Sequence, residues 1–129
     1  MIYIDTSVVL AQLLAEDRKP PVPLWEETLI SSRLLQYEVW TRIHARQLTI
    51  SHGEIVESLL NRLVMLELTP TVLARALEPF PLPVRTLHAL HLASLEFLRD
   101  QRQAVRLASY DAGMLAVAAK LAIPLYRLG

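Results

Sequence analysis

Three carboxylates, Asp5, Glu38 and Asp111, have the residue type and spacing to do chemistry in this 129-residue chain. Asp5 directly follows the apolar run Ile2-Tyr3-Ile4, and Asp111 follows Leu107-Ala108-Ser109-Tyr110. Each precedes a stretch that reads as a helix. In open parallel α/β sheets, ligands bind beyond the carboxyl ends of the strands, so two such aspartates converge if their strands are neighbours. Each could equally cap its following helix, because Asp is a preferred N-cap. Glu38 borders the apolar stripe of a helix, one turn after Leu34 and Leu35. A carboxylate there wants a cation: either Arg42, four residues on in the favourable order, or a metal ion shared with the aspartates. Three clustered carboxylates stay ionised together only if a cation offsets their repulsion. Hard oxygen donors suit Mg²⁺ or Mn²⁺. Such an ion can activate water and stabilise charge on a phosphodiester during in-line attack. The chemistry implied is hydrolysis of a phosphodiester, with no covalent intermediate required.

The elements that must position these residues follow from local pattern. Ile2-Tyr3-Ile4 predicts a strand, and Thr6 or Ser7 is expected to cap a helix running to about Ala15. Lys19-Pro20-Pro21-Val22-Pro23 reads as a loop. Residues 28–31 predict a second strand, and Ser31 or Ser32 caps a helix through Arg46. Ser51, with Glu54 three residues on, makes a capping-box pattern for another helix. A third strand is expected at Met65–Leu68, a short helix from Pro70, and a long helix over about Val84–Arg99. A buried strand at Ala104–Ser109 is followed by a helix from Asp111 to about Leu121, and Pro124-Leu125-Tyr126 suggests a last short strand. Alternating strands and helices imply a parallel sheet with helices on both faces.

Composition removes several function classes. Apolar residues make up 53% of the chain and charged residues 20%, a globular balance. The formal net charge is zero, so no strongly basic surface announces a nucleic acid. Eleven of the 13 basic residues are Arg, which suits bidentate phosphate contacts but also fits a compositional bias. Without cysteine there are no disulfides, thiolate metal sites or thiol nucleophiles. The three glycines form no Gly-x-Gly cluster, so phosphate loops and dinucleotide fingerprints are absent. No uncharged apolar stretch reaches the ~20 residues of a membrane span. The opening MIYID lacks the basic start and apolar run of a secretion signal, so the expected location is the cytoplasm.

Four motifs occur in a telling order: Asp5-Thr6-Ser7; Glu38 in the second helix; Arg85-Thr86-Leu87-His88-Ala89-Leu90-His91-Leu92-Ala93; and Ser109-Tyr110-Asp111. This order resembles PIN-domain ribonucleases, and more closely the VapC toxins of toxin–antitoxin pairs. The resemblance covers essentially the whole chain. It implies one domain over residues 1–129, with a three-layer α/β/α PIN-like fold around a central parallel sheet. It also implies an endoribonuclease dependent on Mg²⁺ or Mn²⁺, an RNA substrate, a VapB-like antitoxin and a homodimer. Asp5, Glu38 and Asp111 match family metal ligands, with Thr6 and Ser109 as supporting hydroxyls.

One position departs from the pattern: His88 stands where the family has an aspartate. It is expected either to point into the acidic pocket as a substitute, favouring Mn²⁺ over Mg²⁺, or merely to pack there or pair with an acid. His91 matches the family's own histidine and is expected to pack or orient its helix. Arg33, Arg42, Arg46 and Arg85 are candidates for phosphate contacts, Arg42 and Arg85 foremost. Trp25 and Trp40 are expected in packing or a dimer face. The alternative to a nuclease is a PIN-like module, impaired by the lost acid, that binds a partner protein or RNA without cutting.

Overall fold

Alternation along three residues sets the architecture. In strand β1 (Ile2–Ile4), Ile2 and Ile4 enter one apolar cluster while Tyr3 enters another on the opposite face. The computed structural model describes all 129 residues. Its elements continue as α1 (Thr6–Leu13), β2 (Leu29–Ser32), α2 (Arg33–Ala45), α3 (Thr49–Leu60), β3 (Val64–Leu66), α4 (Pro70–Ala76), α5 (Thr86–Asp100), β4 (Arg106–Ala108) and α6 (Ala112–Lys120). The four strands form a parallel sheet in the order β3-β2-β1-β4. Helices α1, α2 and α3 cover the Ile2/Ile4 face through Val8, Leu35, Val39 and Val56. Helices α5 and α6 cover the Tyr3 face through Leu92, Leu95, Met114 and Val117. This is the expected three-layer α/β/α arrangement.

Strand order reverses at β1: β2 and β3 are added on one side, then the chain returns to place β4 on the other. The crevice at such a switch point lies beyond the carboxyl ends of the central strands. The register pairs Ile4 with Ala108, so the residues just beyond, Asp5 and Ser109, emerge side by side.

Several local expectations shift. Pro23 lies in the first turn of a short 3-10 helix, Val22–Glu26, where a loop was expected. Helix α3 begins at Thr49, and Ser51 donates to the carbonyl of Leu48 instead of forming the capping box. The last strand shrinks to a single bridge between Leu107 and Leu125. Helices α1, α2, α5 and α6 are each followed within two residues by a left-handed residue: Ala15, Gln47, Arg102 and Ala122. Glycine usually takes that position, so these helix ends carry no glycine signal. No helix is long and apolar enough to cross a membrane.

Candidate active site

Asp5 occupies the N-cap position of α1, yet its side chain makes no cap bond. Its carboxylate instead receives two hydroxyls: Ser7 donates to Oδ1 at 2.5 Å, and Ser109 donates to Oδ2. The cap expected of Thr6 or Ser7 is not made; both lie in the first turn of α1 and turn their hydroxyls toward acids. Asp5 is only 3% exposed. Burial pushes its pKa up, because desolvation disfavours the charge; the Ser109 and Ser7 hydroxyls pull the other way.

The same serines fasten the end of β4. Ser109 Oγ accepts the N–H of Asp111, and Ser7 Oγ accepts the N–H of Tyr110, both at 3.0 Å. Asp111 caps α6 through Oδ1, which accepts the Met114 N–H at 2.8 Å. Its Oδ2 faces Nε2 of His88 at 3.6 Å, beyond ordinary hydrogen-bond length.

Glu38 arrives from α2. Its Oε1 accepts the Thr6 hydroxyl at 2.8 Å and lies 2.6 Å from Nε2 of His91. Its Oε2 makes no hydrogen bond within the protein. Arg42 does not pair with Glu38, so the helix ion pair weighed from the sequence is not formed. Both residues line a cavity of about 320 Å³, together with Thr6, Ser7, Tyr110 and Asp111. A second cavity of about 320 Å³ holds Arg85 and His88, and Asp111 lines both. Arg33 is drawn away to Glu67 at 2.7 Å.

A PIN domain family model matches residues 2–125. The chain belongs to the PIN domain family. No curated protein matches it in sequence. Among solved structures it is similar to VapC20 of Mycobacterium tuberculosis, a toxin that cleaves the sarcin-ricin loop. The TM-score is 0.65 at 17% identity, over 90% of this chain and 94% of that one. At that identity the likeness speaks for the fold.

In this PIN domain no Lys or Arg forms an ion pair with Asp5, Glu38 or Asp111; the nearest ionisable partners are His91 and His88. Hard oxygen donors without a cationic partner suit a divalent ion. No three His, Asp or Glu side chains are grouped tightly enough to enclose one.

Tyr3 and Ser7 also contribute to the site, Ser7 through Asp5 rather than as a helix cap. The Tyr3 hydroxyl lies 2.8 Å from Nδ1 of His91. His91 was expected to pack or orient its helix; it is indeed buried, and it also holds Glu38. A tyrosine inside a fully buried strand needs a polar partner for its hydroxyl, a signal that could have found the pair. Trp25 and Trp40 pack against the core.

Proposed function

We propose that this PIN domain is a divalent-metal-dependent endoribonuclease, the toxin half of a VapBC-type toxin–antitoxin pair. One observation supports the reading: Asp5, Glu38 and Asp111 lie near the carboxyl ends of β1 and β4, and none of them forms an ion pair with Lys or Arg. Family membership supports it, because PIN-domain nucleases are generally divalent-metal dependent.

Asp5, Glu38 and Asp111 are the proposed oxygen ligands of Mg²⁺ or Mn²⁺, directly or through water. Such an ion, when bound, neutralises charge on the phosphodiester and lowers the pKa of the attacking water. Ser7 and Ser109 hold Asp5 in place before substrate arrives, so little reorganisation is needed. Glu38 Oε2 has no protein partner and is the oxygen free to orient a water. Arg42, in the cavity wall, and Arg85, in the neighbouring cavity, are the proposed phosphate contacts. Exposed Ile50 and Ile55 on α3, Leu73 on α4 and Leu77 just after it offer apolar surface for a second copy and for a VapB-like antitoxin.

His88 beside Asp111 favours the second reading, a module that binds RNA or a partner without cutting. Incubating structured RNA with the purified protein and Mg²⁺ or Mn²⁺ separates the two. Cleavage that Asp5→Asn abolishes supports the nuclease; RNA binding without cleavage under both metals supports the module.

A further inference from the structure

We propose that Tyr3 and His91 are positioning residues: Tyr3 selects the His91 tautomer that holds Glu38 in the site. The inference rests on the reading of Glu38 as part of that site. Tyr3 projects from β1 toward the α5 layer, whereas Glu38 comes from α2 on the opposite face. His91, from α5, bridges them at the carboxyl end of the sheet, 2.8 Å from the Tyr3 hydroxyl and 2.6 Å from Glu38 Oε1. Tyr3 is fully buried and His91 is 1% exposed, so bulk water does not compete for either bond.

With His91 neutral, proton counting fixes the direction of the chain. A neutral imidazole carries one N–H and one lone pair. An ionised Glu38 can only accept, so the hydrogen must sit on Nε2. Nδ1 must then accept, and the Tyr3 hydroxyl is the donor within reach. The hydroxyls of Ser31 and Ser94, also near Tyr3, are committed to the carbonyls of Ile4 at 2.7 Å and Leu90 at 2.9 Å. Without the Tyr3 hydroxyl, Nδ1 keeps an unsatisfied lone pair in a dry core. Moving the hydrogen to Nδ1 would turn the Nε2 lone pair against Glu38 Oε1. Only Thr6 would then hold that carboxylate. Such outer hydrogen bonds orient metal ligands, and their loss weakens metal binding about 10- to 100-fold.

Tyr3→Phe keeps the ring and removes only the hydroxyl. Long-range ¹H–¹⁵N spectra of the His91 ring should show the Nε2–H tautomer in the parent and a mixture in Tyr3→Phe. Mn²⁺ affinity, measured by water-proton relaxation, should fall about tenfold in the variant. In a His91→Gln background, whose amide N–H still reaches Glu38, adding Tyr3→Phe should cost no further Mn²⁺ affinity; general core damage would instead add its own loss. The proposal is overturned by an Nδ1–H tautomer or a doubly protonated His91 ring in the parent, by parental tautomer and affinity in Tyr3→Phe, or by additive losses in the double variant. Both readouts dispense with RNA, so a parent that binds Mn²⁺ but cuts no RNA refutes the nuclease reading alone. A parent that binds no Mn²⁺ overturns both.

Discussion

Ser109 donates its hydroxyl to Oδ2 of Asp5, a contact between residues 104 positions apart in sequence. The β1–β4 register brings them together, and the hydroxyl opposes the rise in the Asp5 pKa that burial causes. Ser109→Ala leaves half of a buried carboxylate without its donor. The metal-free protein should lose about 1–3 kcal/mol of stability at neutral pH, and less in acid, where Asp5 is protonated. Urea unfolding at the two pH values checks this; an equal loss at both would show that the hydroxyl acts on something other than the charge.

Asp5→Asn separates stability from activity. The folded-state pKa of Asp5 lies above its ordinary 3.8, chiefly through desolvation. The folded protein therefore holds a proton that the unfolded chain releases. The stability this contributes is fully present below about 3.8 and is lost as the pH rises through the folded value. At neutral pH the metal-free protein carries the cost of the buried charge, which Asn removes. The variant should melt a few degrees higher than the parent without metal, by roughly 1 kcal/mol, and should cut no RNA. Added Mg²⁺ should stabilise the parent and leave the variant unchanged. Calorimetry with and without metal tests this, and a variant that melts lower in chelator contradicts it.

His88 faces Asp111 at 3.6 Å from the helix turn where the resemblance calls for an acid. Mn²⁺ accepts imidazole better than Mg²⁺ does, so the parent should cut RNA faster with Mn²⁺. His88→Asp should raise Mg²⁺-dependent cleavage, by about tenfold or more if the ligand set is otherwise intact. A folded His88→Asp protein that binds Mg²⁺ no better than the parent and still cuts nothing would sink this account.

The arginines divide by their partners. Arg42 lines the acidic cavity without an ion pair, whereas Arg33 is held by Glu67. Arg42→Ala should raise KM for RNA several-fold with a smaller change in kcat, and should lower the salt dependence of binding by about one phosphate contact. Arg33→Ala should change neither. Equal effects from both would reduce the difference to net charge.

Ile50 is 99% exposed on α3 and Leu77 is 88% exposed at the end of α4. If these faces serve a second copy, light scattering at high micromolar concentration should report a dimer, and Ile50→Lys or Leu77→Lys should shift it toward monomer. A parent that stays monomeric at that concentration removes the homodimer.

Local pattern sufficed for much of this protein. Short apolar runs, Pro70 at a helix start and Ser32 as a cap act within a few residues, so the order of strands and helices was legible. Asp5 and Asp111 were legible as strand-end acids for the same reason. The helix cap that Asp111 makes to Met114 was legible too, but the other partners lie far along the chain: Ser109 meets Asp5 across 104 residues, Tyr3 meets His91 across 88, and Thr6 meets Glu38 across 32. Those distances are spanned by the β3-β2-β1-β4 order and the pairing of Ile4 with Ala108. Spacing offered Arg42 to Glu38; the fold gave Glu38 to Thr6 and His91 instead. Sequence determined which residues could carry charge at strand ends, since that depends on near neighbours. Tertiary structure decided which hydrogen bonds hold each carboxylate, since those donors converge only when two layers close over one end of the sheet.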